Sequence, residues 1–420
     1  MKKIAVLGYG GRGFIYTFLC KRLKKDFEIV AVIDSNPEKL RAAAKFTGLG
    51  SDRLYSDFDR FLADPKVADW LFVCTQDKDH KNHSIKAMEK GYHLLLEKPV
   101  ATTPEDCIAI AESARANGVT VAVCHVLRYS VYYQTIKKIM DSGVLGKIIS
   151  IEQIENVGYW HQAHSFVRGD WRDASTSTPM ILAKCCHDLD IAVYLADSPC
   201  RVVSSQGALH YFRPENAPEG STARCLDGCK AKANCPYDCE KIYIDPIRNK
   251  PGFLYRRQWP QTRLASDGVA TLAKVREALQ TSPFGRCVFR MDNNVVDYQA
   301  TTMEFENGIR STLIMTAFSD EIYRETRIRG TDAELVCDMR KPFLELRRFG
   351  KKTKKIRLPR LDAHGGGDPA MILSLADDSI RTDIFRSIES HLIAFAAEAS
   401  RLKDGAPVEP AAFRQTPARQ

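Results

Sequence analysis

Residues 3–34 read KIAVLGYGGRGFIYTFLCKRLKKDFEIVAVID, and the fold turns on how this stretch is read. A short apolar run (3–7) meets GYGGRG at once. FIYTFLCKRLKK (14–25) then places apolar residues at helical spacing, and EIVAVID closes on Asp34, 21 residues after Gly13. Strand, Gly8-x-Gly10-x-x-Gly13, helix, strand and acid together form the dinucleotide-binding fingerprint in its structural context. Gly8 permits the tight turn, Gly10 lets backbone approach a pyrophosphate, and Gly13 brings helix against sheet. Gly11 and Arg12 lie in the same turn, where the helix N-terminus offers unpaired N–H groups to an anion. Asp34 would accept hydrogen bonds from a ribose diol and repel a 2′-phosphate, which favours NAD over NADP.

Outward from this unit the alternation continues. DWLFVCT (69–75), a helix from about His80 to Gly91, YHLLLEKPV (92–100), a helix over about 104–117 and VTVAVCH (119–125) extend a doubly wound parallel sheet. Ligands of such sheets bind at the carboxyl ends of the strands, where Thr75, Glu97-Lys98-Pro99 and His125 fall. Thr75, His80, Glu97 and Lys98 therefore join the expected cofactor-binding residues. A lysine beside a nicotinamide can polarise a substrate hydroxyl, with Glu97 to orient it. Spacing alone fits a surface lysine after a buried strand equally well.

Length and composition set the bounds. The 420 residues suggest two to three domains. With 44% hydrophobic and 27% charged residues, collagen-like, disordered and membrane classes are excluded as global descriptions. The apolar run after Met1-Lys2-Lys3 ends at Gly8, too short for a signal peptide, and no stretch of 18 apolar residues predicts a membrane span. Thirteen cysteines, most of them scattered, fit a reducing cytoplasm. The net charge of +9 is local: residues 340–360 hold ten Lys/Arg against one Glu, and the rest of the chain is balanced. FLELRRFGKKTKKIRL around Gly350 reads as a hairpin whose basic outer face discourages edge pairing or attracts an anionic substrate, rather than as a nucleic-acid site.

The GYGGRG turn, the acid of VID, TQDKDHKNHSIKAMEKGYHLLLEKPVA, the RY of HVLRYS, GVLGKI (143–148), WR (171–172), HDLD (187–190), RGTDAEL (329–335) and ESHLIAFAAEASR carry a resemblance to the glucose-fructose oxidoreductase / inositol dehydrogenase / MocA family, Gfo/Idh/MocA. It covers most of residues 1–402. The resemblance implies an α/β fold: a Rossmann domain (1–126), then an α+β domain (127–402) on a large, mostly antiparallel open sheet, then a tail (403–420). It also implies NAD-dependent chemistry on a sugar or polyol, and a homodimer or homotetramer formed through that sheet. Lys98 and His187 become the expected catalytic pair, with His187 as general acid/base and Asp190 to orient it. His125, Arg128, Tyr159, Trp171, Arg172, Lys184 and His187 become the expected substrate contacts. Two departures stand out. Gln76 replaces a frequent proline, and Ala183 occupies a position where many members carry aspartate, four residues before His187.

Residues 178–197 read as one apolar-faced helix carrying Lys184, His187 and Asp188 on a common face. GYWHQAHSFVRGDWR (158–172) has the aromatics and arginines of a sugar pocket, and equally those of a packed loop. Cys225, Cys229, Cys235 and Cys239 form a C-x3-C-x5-C-x3-C array in a long loop (212–260) without clear periodicity. A structural zinc or another soft metal, unligated thiols, and a disulfide or redox cluster all remain open. HGGGD (364–368) reads as a flexible loop near the crevice, residues 383–402 as the last helix, and the tail from Asp404 as peripheral.

Three functions follow. The first is an NAD-dependent dehydrogenase of a secondary hydroxyl on a sugar or cyclic polyol. The second is an NAD-dependent glycoside hydrolase or lyase working by transient C3 oxidation and elimination. The third is a non-enzymatic nucleotide-sensing or nucleic-acid-associated protein that uses the basic segment, which retained Lys98 and His187 argue against.

Overall fold

The computed structural model describes residues 1–256, 258–359 and 365–415. Its first sheet is parallel, in the order β3 (Leu54–Tyr55), β2 (Phe27–Ile33), β1 (Lys2–Leu7), β4 (Trp70–Val73), β5 (His93–Leu96), β6 (Val121–Val123). All of β4 and the last four residues of β1 are buried, as strands covered on both faces must be. β2 lies on one side of β1 and β4 on the other. The strand order therefore reverses at β1, directly beneath the Gly8 turn, and this is the switch point where such sheets bind ligands.

The second sheet has eight strands, in the order β14 (Lys354–Arg357), β13 (Phe343–Arg348), β12 (Ala333–Asp338), β11 (Tyr323–Gly330), β7 (Ile148–Asn156), β10 (Arg310–Thr316), β9 (Tyr298–Phe305), β8 (Cys200–Ala208). Only β7 and β10 pair in parallel. Period-2 burial is plain along β11, where Arg324, Thr326, Ile328 and Gly330 face inward. The basic hairpin β13–β14 forms one edge of this sheet, turning at Gly350.

Two late helices return to the first sheet. Met371, Ile372 and Leu375 of the helix Gly367–Ala376 pack with Ile4, Val6 and Phe72. The helix Ile384–Arg401 gives Ile388 and Leu392 to the Rossmann core, and Ile393 and Ala397 to the core beneath the second sheet.

Four expectations change. The helix expected over 178–197 is two, Met180–Ala183 and Cys186–Ala196. The Ala183 carbonyl would accept from the His187 N–H in a continuous helix. Here it accepts from Lys98 Nζ at 2.8 Å, and the second helix starts afresh on the Cys185 carbonyl. The long loop is a small unit with its own core of Phe212, Tyr237, Cys239, Tyr243, Leu279 and Phe289. In the HGGGD stretch, His364 lies outside the described residues, and Gly365–Asp368 open a packed helix instead of a flexible loop. A Cβ on Gly367 would fall 2.2 Å from the Val126 carbonyl oxygen. The described part of the tail also docks: Val408 and Val203 exchange two backbone hydrogen bonds at 2.9 Å, and Arg414 pairs with Glu389.

Candidate active site

The turn after β1 is shaped by what it excludes. Gly8 has φ +89°, and a Cβ there would lie 2.6 Å from the Cys74 carbonyl oxygen; a Cβ on Gly13 would lie 2.1 Å from the Gly8 carbonyl oxygen. A Cβ on Gly10 or Gly11 meets nothing within 4 Å, and Gly10 caps the helix Gly11–Arg22 without a side-chain bond. An open space beside uncapped helical N–H groups fits a pyrophosphate. At the end of β2 the buried Asp34 carboxylate accepts from Tyr9 N (2.7 Å) and Asn36 N (2.8 Å), with Lys39 Nζ at 3.6 Å. This fits the ribose of a dinucleotide.

Other expected cofactor residues hold the crevice wall. The Arg12 guanidinium turns inward to Glu97 Oε1 (2.7 Å), Asp368 Oδ1 (2.6 Å) and the Tyr16 hydroxyl. Burial pushes the Glu97 carboxyl up, but Arg12 and a hydrogen bond from Tyr16 overcome this and leave it below the usual range. Glu97 also accepts from the Lys98 N–H and so fixes the strand end rather than the lysine's amine. His80 is fully buried, Nδ1 meeting the Pro99 carbonyl at 2.8 Å and Nε2 the Thr75 carbonyl at 3.3 Å. The Thr75 hydroxyl lies 3.0 Å from His83 Nδ1.

The substrate side is built around the helix break. Lys98 crosses from β5 to the Ala183 carbonyl, one helical turn before His187. The His187 ring packs edge-on to His125 at 5.8 Å, and His125 packs against His391 at 5.5 Å. His125 is fully buried, and burial, with Arg128 and Lys98 nearby, holds its pKa well below the usual imidazole value. His391 accepts from Val100 N and is held at about 3, chiefly by burial.

Lys184 Nζ pairs with Glu155 at 2.8 Å, and Arg324 spans Glu155 (2.8 Å) and Asp188 (2.7 Å). Lys184 and Asp188 thus share one ion network while His187 faces another way, so the common face expected of all three does not form. Burial raises the Asp188 carboxyl to about 6; Arg324 opposes the shift and Glu155 reinforces it. Arg128 is buried and bidentate on Asp190, at 2.7 Å for each bond. Arg128 is therefore committed away from a substrate, and Asp190 anchors it rather than orienting His187.

In the aromatic segment, Trp171 Nε1 donates to Asp77 at 3.1 Å, tying the two halves together, and Arg172 pairs with Asp292 at 2.9 Å. Tyr159 packs edge-on to Tyr237. His164 and Arg168 are buried in the core of the insertion. For His161, in the same segment, burial and the charge of Lys184 hold the pKa far below the usual value. Glu155, Asp77, His391 and Asp368 have no site role legible in the sequence, because each contacts a residue distant in the chain.

The cysteine array does not form a metal cage. Among the described residues no group of three or more His, Cys, Asp or Glu side chains is arranged to hold a metal ion, so the expected zinc finds no support. Cys225, Cys229 and Cys235 instead line one small cavity with Cys287, which their spacing could not reveal, and with the buried Arg168. Arg168 Nη2 lies 3.6 Å from Cys225 Sγ. A hydrogen bond from the Cys239 thiol pulls the Cys225 thiol down to about 6 against burial, and Arg168 assists.

A Rossmann crevice beside a second domain on an open, mostly antiparallel sheet, with Lys98 bonded to the Ala183 carbonyl four residues before His187, fits a dinucleotide-dependent oxidoreductase. The chain belongs to the Gfo/Idh/MocA oxidoreductase family: residues 2–125 match the family's NAD-binding Rossmann fold and residues 137–353 its C-terminal alpha/beta domain. YteT of Bacillus subtilis (strain 168), a protein named as an oxidoreductase, is 24% identical over 99% of this chain and 98% of its own. D-glucoside 3-dehydrogenase of Escherichia coli (strain K12) is 31% identical over 35% of this chain and 41% of its own. An inositol dehydrogenase homolog from Azotobacter vinelandii, solved with NAD+, shares the fold with a TM-score of 0.69 at 15% identity, covering 97% of each chain. Among the described residues no helix is long and apolar enough to cross a membrane.

Proposed function

We propose that this chain is an NAD-dependent dehydrogenase of a secondary hydroxyl on an uncharged sugar or cyclic polyol, with Lys98 and His187 handling the hydroxyl proton. The observation that carries the reading is the 2.8 Å bond from Lys98 Nζ to the Ala183 carbonyl. It delivers the EKP lysine to the break from which His187 projects. NAD+ bound in the crevice supplies the hydride acceptor. The Lys98 ammonium polarises the substrate oxygen, and His187 takes the proton as the carbinol becomes a carbonyl. Lys184, Arg128, Arg172 and Arg12 are each already paired with a carboxylate, which suits a neutral substrate over an acidic one. Relatives named inositol 2-dehydrogenase and D-glucoside 3-dehydrogenase support this class, and net hydride transfer over elimination from a glycoside.

Residues 1–126 hold the cofactor in this reading, and 127–402 the substrate. The outer face of the second sheet, a mosaic of Glu334, Arg347 and Glu345, is the surface for a homodimer or homotetramer, and the protein works in the cytoplasm. The test is absorbance at 340 nm with NAD and a panel of free cyclitols, aldoses and methyl glycosides. Lys98→Met and His187→Ala should each lower kcat by roughly 10²–10⁴-fold. Undiminished turnover in either variant removes that residue from the chemistry.

A further inference from the structure

The insertion between β8 and β9 closes over a cation for which it supplies no carboxylate. Arg168 is buried, and its Nε and Nη2 donate to the Arg286 and Tyr237 carbonyls, each at 2.8 Å. Both acceptors are neutral, and among the described residues Arg168 forms no ion pair with Asp or Glu. Asp238 shares the cavity wall but caps the helix Cys239–Tyr243, accepting from Glu240 N (3.0 Å) and Lys241 N (3.3 Å). The nearby Tyr243 hydroxyl bonds His164 at 3.0 Å, and burial pushes its ionisation up, so it supplies no charge. Within reach of Nη2 there is also sulfur: Cys225 Sγ lies at 3.6 Å. A buried guanidinium without a counter-charge is costly, and a thiolate at Cys225 relieves that cost.

The scattered cysteines show the contrast. Burial pushes the thiols of Cys20, Cys107 and Cys337 up, and no cation opposes it there. Cys225 also has a partner thiol, because the buried Cys239 donates a hydrogen bond to it. Cys229 and Cys235, in the wall of the same small cavity, are half-buried, so the cavity has a side toward solvent. Its size suits a molecule such as hydrogen peroxide and not a bulky organic disulfide.

We infer that Cys225 and Cys239 form a peroxide-reactive dithiol, with Cys225 as the attacking sulfur and Cys239 as the resolving one. The Cys225 thiolate attacks one oxygen of hydrogen peroxide and the O–O bond breaks. Hydroxide leaves and takes a proton from solvent to become water, and Cys225 is then a sulfenic acid. The Cys239 sulfur attacks that sulfur, the S–O bond breaks, and the leaving hydroxide departs with the Cys239 proton as a second water. Two electrons pass from the thiols to the peroxide, and a disulfide remains.

The experiment uses the full chain, reduced and then freed of reductant. A small excess of hydrogen peroxide is added, the reaction is stopped by alkylation in denaturant, and thiols and disulfides are mapped by mass spectrometry. The chain should lose two of its thirteen thiols as a Cys225–Cys239 disulfide that dithiothreitol reverses. Cys239→Ser should stop at the sulfenic acid, captured on Cys225 by dimedone, and Cys225→Ser should leave the remaining thiols reduced. Arg168→Met should slow thiol loss about tenfold at pH 7, because less of Cys225 is thiolate. The two serine variants carry the test if that variant does not fold. Thiols that persist in the folded chain while the urea-unfolded chain oxidises overturn the inference. So does a disulfide joining any other pair, or a metal ion held at one per chain in the protein as purified.

Discussion

The glycine turn at 8–13 and the helix break at 184–186 both end a regular element at the same crevice, and they are made of opposite materials. In the first, side chains are missing: Gly8 and Gly13 leave no room for a Cβ, while the space over Gly10 is open. In the second, charges crowd in. Lys98 takes a helical carbonyl, and Lys184, Glu155, Arg324 and Asp188 form a buried network directly behind it. A ligand cradle formed by backbone is written into a short local sequence. A helix break flanked by ion pairs depends on Lys98 beyond β5 and on partners from β7 and β11, spread over more than two hundred residues.

Disturbing the charged side should cost more than disturbing the glycine side. Arg324→Met leaves Glu155 and Asp188 buried with one cation, Lys184, between them, and the loss of stability should be about 3–5 kcal/mol, read as a lower urea midpoint. If that midpoint holds, the network is not what maintains the break. Gly8→Ala forces a Cβ against the Cys74 carbonyl at positive φ and should cost roughly 2–3 kcal/mol, with loss of NAD binding in a fluorescence titration. Retained affinity would mean that the turn relaxes without harm to the cradle.

The third effect is a pH dependence. Burial raises the Asp188 carboxyl in the folded chain to about 6, above its unfolded value near 3.8. The folded state therefore holds this proton more tightly. The resulting stability is fully present below about pH 4 and is lost as pH rises through 6. Thermal midpoints should fall over that window in the unaltered protein by more than in Asp188→Asn, at up to roughly 1.4 kcal/mol per pH unit. Parallel profiles would show that Arg324 keeps Asp188 ionised throughout.

Most of the first sheet was legible because its signals are local. Apolar runs, glycines at fixed spacing and an acid at the end of β2 place strand, turn and helix without reference to the rest of the chain. The substrate side was legible in its residues and not in their partners. Lys98 and His187 could be named, but Asp190 belongs to Arg128, Arg12 belongs to Glu97 and Asp368, and Trp171 belongs to Asp77. The cysteine array shows the same limit. Its spacing drew attention to four thiols, while the fifth, Cys287, and the cation among them, Arg168, come from 48 residues after and 57 residues before the array.

By itself the sequence determined a Rossmann half with a glycine turn for a nucleotide and an acid that favours NAD, and it singled out a lysine and a histidine as candidates for the chemistry. Each depends on spacing within a few tens of residues, which fixes backbone geometry and strand-end position. Only the tertiary structure decided that Lys98 reaches the Ala183 carbonyl where the helix before His187 is interrupted, and that Arg168 stands among the thiols. Side chains are assigned partners by desolvation and charge, and those act between whatever the folded chain brings into contact.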